Sequence, residues 1–162
     1  GTASKITSKY NQTVLGNITQ PNAAKVAREM YGEVKENNEL VYASDLVNSY
    51  AWDTAIIFIQ TYSTETDASS YASKNKSTSF SKTGINNDKY CNIWDMSGNA
   101  CEWTTEYSTA FDNGNYDIHG SRGGFYISAA DQTELYTSNR IDSYQAAFSP
   151  NFRGLRSLLY VK

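Results

Sequence analysis

Apolar residues at Ala23, Val26, Ala27, Met30 and Tyr31 recur at three- and four-residue intervals, which places them on one face of a helix. Pro21 suits the first turn of that helix and Gly32 its stop. A wider apolar face formed by Leu46, Val47, Tyr50, Ala51, Thr54, Ala55, Phe58 and Ile59 predicts a second helix, capped by Ser44 and ending near Gln60. Residues 1–20 read as extended, with a short β-type run from Tyr10 to Ile18 interrupted at Gly16. From Thr61 to Asn87 the chain is polar, broken only by Tyr62, Tyr71 and Phe80, and predicts a long surface excursion. Short strands are expected at Ala100–Tyr107, Arg122–Ser128 and Gly154–Lys162, with a turn at Asn113–Asn115. The stretch from Ala129 to Phe152 has no period and reads as irregular. Helices first and strands later predict an α+β domain with an antiparallel sheet and much loop.

The 162 residues fit one domain, 1–162, which at this length removes about 70% of its unfolded surface from water. A content of 40% hydrophobic and 14% aromatic residues, with 13 Tyr, excludes a disordered chain. The net charge of −3, with Lys and Arg scattered, offers no field for a phosphate backbone, so nucleic acid is excluded as a partner. The longest apolar run, Ala55–Ile59, falls far short of the about 18 residues that span a bilayer. No membrane contact by the chain itself is expected. It starts at Gly1-Thr2 without Met, so residue 1 is expected to be a processing boundary, with any anchor upstream of it. Abundant Tyr, Ser, Thr and Asn with few Lys points to an extracellular or cell-surface location.

Candidate chemistry concentrates in Asn92–Thr104, "NIWDMSGNACEWT", where Asp95, Gly98, Asn99, Cys101 and Glu102 lie between two tryptophans. Cys91 and Cys101 allow one disulfide or none, the alternative being two buried thiols. With the lone His119 they cannot complete a closed zinc site. No nucleophile elbow and no phosphate-binding glycine loop is present.

"DMSGNACEWT" from Asp95, "RGG" at Arg122–Gly124, Arg140 and "GLR" at Gly154–Arg156 resemble, in order, the D-x-x-G-N-x-W-E-W, R-G-G-S-W, A-x-R and G-F-R signatures of the formylglycine-generating-enzyme-like (sulfatase-modifying factor) domain. The resemblance runs from about Asn22 to the C-terminus, with Trp52 where the family's helix carries a Trp. It implies a C-type-lectin-like fold. In the catalytic branch a cysteine pair shortly after R-G-G-S-W holds copper. Here Phe125–Arg140 contains no Cys, Cys101 stands at the first Trp of W-E-W, and Phe125 replaces the Ser. The resemblance therefore implies no redox cofactor and no catalytic residues.

A second branch of the same fold serves display. The sequence is similar to the variable proteins of diversity-generating retroelements, in which a hypervariable segment follows R-G-G and ends at G-F-R. Adenine-directed mutagenesis of Asn codons cannot produce Gln, Glu, Lys, Trp or Met, and between Phe125 and Phe152 only Gln132, Glu134 and Gln145 are of these excluded types. The expectation is a non-catalytic module on a bacterial or phage surface that binds a protein or glycan through residues 125–151. A pilin-like or fibre subunit is the alternative from another class, and a copper oxidase the disfavoured one. The ligand face is expected from Phe125, Tyr126, Ile127, Ser128, Tyr136, Asp142, Tyr144, Phe148 and Asn151, with its aromatics uncovered; Tyr, Ser and Asn are favoured in paratopes. Tyr136 and Phe148 have a second reading, as plugs onto the core.

The resemblance further implies a structural Ca²⁺ held by Asp95, the carbonyls of Gly98 and Ala100, and Glu102. The competing reading is that Asp95 and Asn99 tie the turn by side-chain to backbone bonds while Glu102 caps a backbone N–H. Trp52, Trp94 and Trp103 are expected in the core, and Arg122 and Arg156 on acids such as Glu102 or on carbonyls.

Overall fold

The computed structural model describes residues 6–63, 77–86, 88–107, 118–126, 140–145 and 152–161, with backbone alone for 118 and 140–145. Helix α1 spans Gln20–Tyr31, with Pro21 in its first turn. Its last turn closes at Gly32, whose φ of 68° lets its N–H return to the Arg28 carbonyl. The buried face is made of Gln20, Ala23, Ala24, Val26 and Ala27, and such small side chains let the helix approach the sheet closely.

The hairpin β1 (Glu33–Glu36) and β2 (Glu39–Leu46) turns on Asn37 and Asn38, at φ 52° and 64°. Two consecutive positive φ values are what a type I′ turn requires, and Asn tolerates them. Helix α2 covers Ser49–Tyr62, capped by Asn48, whose side chain accepts the Ala51 N–H at 2.8 Å. Ser44 is not its cap. That residue lies in β2, and its hydroxyl donates to the Arg28 carbonyl at 3.0 Å, tying β2 to α1.

The second hairpin, β3 (Lys89–Tyr90) and β4 (Ile93–Trp94), turns on Cys91 and Asn92 at φ 49° and 64°. Strands β5 (Cys101–Tyr107), β6 (Ile118–Arg122), β7 (Arg140–Gln145) and β8 (Arg153–Leu155) form a sheet of order β7-β6-β5-β8. Its β5–β8 pair is parallel, a departure from the antiparallel expectation. Strand β9 (Ser157–Val161) leaves this sheet to pair with β2, giving a second sheet of order β1-β2-β9. The expected strand at Arg122–Ser128 begins earlier, at Ile118, and ends at Arg122, because Gly123 and Gly124 follow at φ 92° and 68°.

Two apolar clusters hold these layers. Ile18, the α1 alanines, Val26, Leu46 and Trp103 form one, with Leu15 and Leu155 packed against it. Val47, Trp52, Ile59, Tyr90 and Met96 form the other. Trp103 donates its indole N–H to the Ile18 carbonyl at 2.8 Å, so its polar edge is satisfied in the interior. Trp94 is only half-buried, with its ring 5.9 Å from Tyr10 and the Lys89 ammonium 5.0 Å above it. Among the described residues the fold is α+β, with two helices and short, mostly antiparallel strands. Among the described residues no helix is long and apolar enough to cross a membrane.

Candidate functional site

The residue types concentrated between Trp94 and Trp103 form a clasp. Asp95, Gly98 and Asn99 take φ values of 53°, 68° and 61°, so the chain coils tightly here. The Asp95 carboxylate accepts the Gly84 N–H at 2.6 Å. The Asn99 amide pairs with Ser81 in both directions, accepting its N–H at 2.9 Å and donating to its carbonyl at 3.2 Å. Asn suits this place because it tolerates the left-handed region and carries both a donor and an acceptor. These bonds attach the segment 77–86 to the turn.

The turn's own backbone reaches the other way. Gly98 N–H donates to the Gly123 carbonyl at 2.6 Å, the Asn99 carbonyl accepts the Tyr126 N–H at 3.2 Å, and Cys101 N–H donates to the Phe152 carbonyl at 2.9 Å. One short turn thus grips the chain where it leaves β6 and again where it returns to β8. Phe125 and Phe152 stack at 4.2 Å between ring centroids, closing that base. Arg122, buried at the end of β6, pairs with Asp53 on α2 and fixes the exit against the helix.

Arg156, between β8 and β9, bridges the two ends of the turn. It donates from Nε to Glu102 Oε2 at 2.7 Å and from Nη2 to Glu102 Oε1 at 2.9 Å, the Trp94 carbonyl at 3.1 Å and the Asp95 carbonyl at 3.0 Å. Its guanidinium carbon lies 5.6 Å from the centre of the Trp52 ring. Burial works against its charge, and Glu102, Asp95 and Asp88 more than restore it. Burial presses the Glu102 carboxyl upward while Arg156 pulls it down. Arg122 and Arg156 therefore sit on acids and carbonyls, as their strand-end positions led one to expect.

Of the oxygens offered for calcium, both of Glu102 and one of the Asp95 carboxylate are engaged. Both Glu102 oxygens face the guanidinium, and an Asp95 oxygen is held by Gly84. A dication at Asp95, Gly98, Ala100 and Glu102 would meet a fixed positive charge, so the arrangement does not fit one. Among the described residues no three His, Cys, Asp or Glu side chains gather into a metal-holding group.

No bridge joins the cysteines. Cys91 is held in the β3–β4 turn, while Cys101 is fully buried on β5 with its thiol 3.2 Å from the Ser121 hydroxyl. Burial pushes the Cys101 thiol up to about 11, against the opposing effect of its hydrogen bond to Ser121. It stays protonated and unreactive at neutral pH. We expect a thiol reagent to label Cys91 on the native protein and Cys101 only after denaturation. Equal native rates at both would show that β5 is open.

The ligand-face residues divide. Tyr126 was expected uncovered but is only 8% exposed. Its ring meets Phe80 edge-on at 4.9 Å, and its carbonyl accepts the Ser77 N–H at 3.3 Å. It belongs to the base of the segment, absorbed by the excursion that Asn99 anchors. Phe125 is half-buried on Phe152. Asp142 and Tyr144 lie on β7, where Tyr144 is paired with His119 across to β6. Their side chains, and Ile127, Ser128, Tyr136, Phe148 and Asn151 altogether, lie outside the described residues. Sequence reasoning missed an exposed apolar face on α2: Tyr50 is 87% exposed, and Ile57, Phe58 and Tyr62 are exposed beside it. The signal was the width of that helix's apolar stripe, broader than one core can cover.

No curated protein and no solved structure matches the chain. Residues 7–159 match the family model of the sulfatase-modifying factor enzyme 1-like domain. With the clasp, the R-G-G exit and the returning strand all inside that span, the chain belongs to the sulfatase-modifying factor enzyme 1-like (FGE-sulfatase) family.

Proposed function

We propose that this member of the family is a non-catalytic, surface-displayed binding module with a C-type-lectin-like fold, resembling retroelement variable proteins. It takes a protein or glycan ligand through the segment that leaves at Phe125 and returns at Phe152. The observation that carries the reading is the single turn, Gly98–Cys101, that holds both ends of that segment by backbone bonds to Gly123, Tyr126 and Phe152. Backbone bonds do not depend on the side chains beyond them, so the intervening residues are free to vary over a fixed base. The thiols support the non-catalytic part: residues 125–140 hold no Cys, and Cys101 is buried and protonated.

The test is binding to arrays of glycans and of surface proteins. Ser128→Ala combined with Tyr136→Ala should abolish the signal at unchanged Tm. Copper-dependent oxygen consumption with a cysteine peptide would refute the reading in favour of the oxidase. One observation favours the alternative of a fibre or pilin-like subunit, namely the uncovered α2 face at Tyr50, Ile57, Phe58 and Tyr62. Assembly lost on Tyr50→Ser with Ile57→Ser, and array binding absent throughout, would transfer support to it.

A further inference from the structure

The turn at Asp95–Glu102 has the composition of a cation site, and a cation of the protein's own, Arg156, bridges its two ends. Ca²⁺ organises such a turn by drawing carboxylate and carbonyl oxygens together, six to eight of them at 2.3–2.6 Å. Arg156 draws the same kinds of oxygen, from Glu102 and from the carbonyls of Trp94 and Asp95, at 2.7 to 3.1 Å. A guanidinium is planar and permanently charged, and its fork matches a carboxylate edge on. The arginine is itself fixed. The Val47 N–H donates to its carbonyl at 2.9 Å, and Trp52 lies beneath its guanidinium. It thereby joins the end of β2, α2, β4 and β5 at one point.

We propose that the Arg156–Glu102 pair closes the turn by itself in this chain, so that no calcium is needed there and the fold is indifferent to divalent cations. A metal site would make the clasp, and the segment it grips, depend on the calcium of the surroundings. A covalently attached cation removes that dependence and folds with the chain as β8 passes into β9.

Thermal melts of the whole chain in EGTA and in millimolar Ca²⁺ test the proposal, using wild type, Arg156→Gln and the double variant Glu102→Gln/Arg156→Gln. Wild type should melt at one temperature in both media. Arg156→Gln strands the Glu102 carboxylate and should lower Tm by roughly 10 °C, as expected for a broken buried pair in a chain of this size. The double variant strands no charge and should recover at least half of that loss. A wild-type Tm higher in Ca²⁺ than in EGTA would overturn the proposal. So would an Arg156→Gln protein that melts with wild type, or a double variant no better than the single one. If Arg156→Gln does not fold, the wild-type comparison still decides the calcium question, and the Tm of the double variant against wild type decides the pair.

Discussion

Trp103→Ala should lower stability by about 4 kcal/mol, or roughly 10 °C in Tm, the scale seen when a large buried aromatic is truncated. Trp103 is 0% exposed and packs where α1, β2 and β5 converge. Its loss opens a void among the α1 alanines, leaves the Ile18 carbonyl without its 2.8 Å donor, and removes the ring beneath the Arg153 guanidinium, now 4.6 Å from its centre. Arg153 is fully buried, with its Nε donating to Ser121 at 3.1 Å. Exposing that charge to a cavity adds to the loss. Chemical denaturation compared with wild type measures it, and a change below about 1 kcal/mol would mean that the cluster closes around the gap.

The second large effect is expected at Gly123. Its φ of 92° lies where a side chain is strained, and a Cβ there would stand 2.9 Å from Trp52 Cη2 and 3.1 Å from the Met96 carbonyl. Gly123→Ala combines a strained backbone with overpacking, for a combined loss of about 3 kcal/mol. The damage should reach the clasp, since the Gly123 carbonyl accepts the Gly98 N–H. Hydrogen exchange at Gly98 and Tyr126 amides should therefore quicken more than at α1. Uniform quickening would show global loss only.

Much of the scaffold was legible from periodicity. The α1 stripe placed the helix to within a few residues, and Pro21 and Gly32 marked its ends correctly. Helix α2 was read too early. Leu46 and Val47 continue its apolar pattern, yet Asp45–Leu46 pairs with Leu158 and Ser157 on β9, and Asn48 supplies the cap. The Asn37-Asn38 pair was a readable hairpin signal that was passed over. Strand β7, Arg140–Gln145, shows no alternation of apolar and polar residues, so only its backbone pairing with β6 defines it.

The candidate site was legible as a motif and opaque as a geometry. Order and spacing marked Asp95–Glu102, Arg122–Gly124 and Gly154–Arg156 as belonging together. Nothing in local pattern shows that Gly98, Asn99 and Cys101 bond to Gly123, Tyr126 and Phe152, because those contacts span 25 to 51 positions of chain. Nor could spacing say that Arg156 bonds Glu102 and the carbonyls of Trp94 and Asp95. Tyr126 was misplaced for the same reason: its cover, Phe80, comes from a polar stretch that carried no signal of packing.

The central claim is a fixed base beneath a variable face, and a library randomised at Ile127, Ser128, Tyr136, Asp142, Phe148 and Asn151, sorted first for protease resistance and then for binding to unrelated proteins, tests it most directly. Most members should resist protease as wild type does, and binders to several targets should emerge. Protease sensitivity across most of the library would contradict the claim, by showing that these residues build the fold.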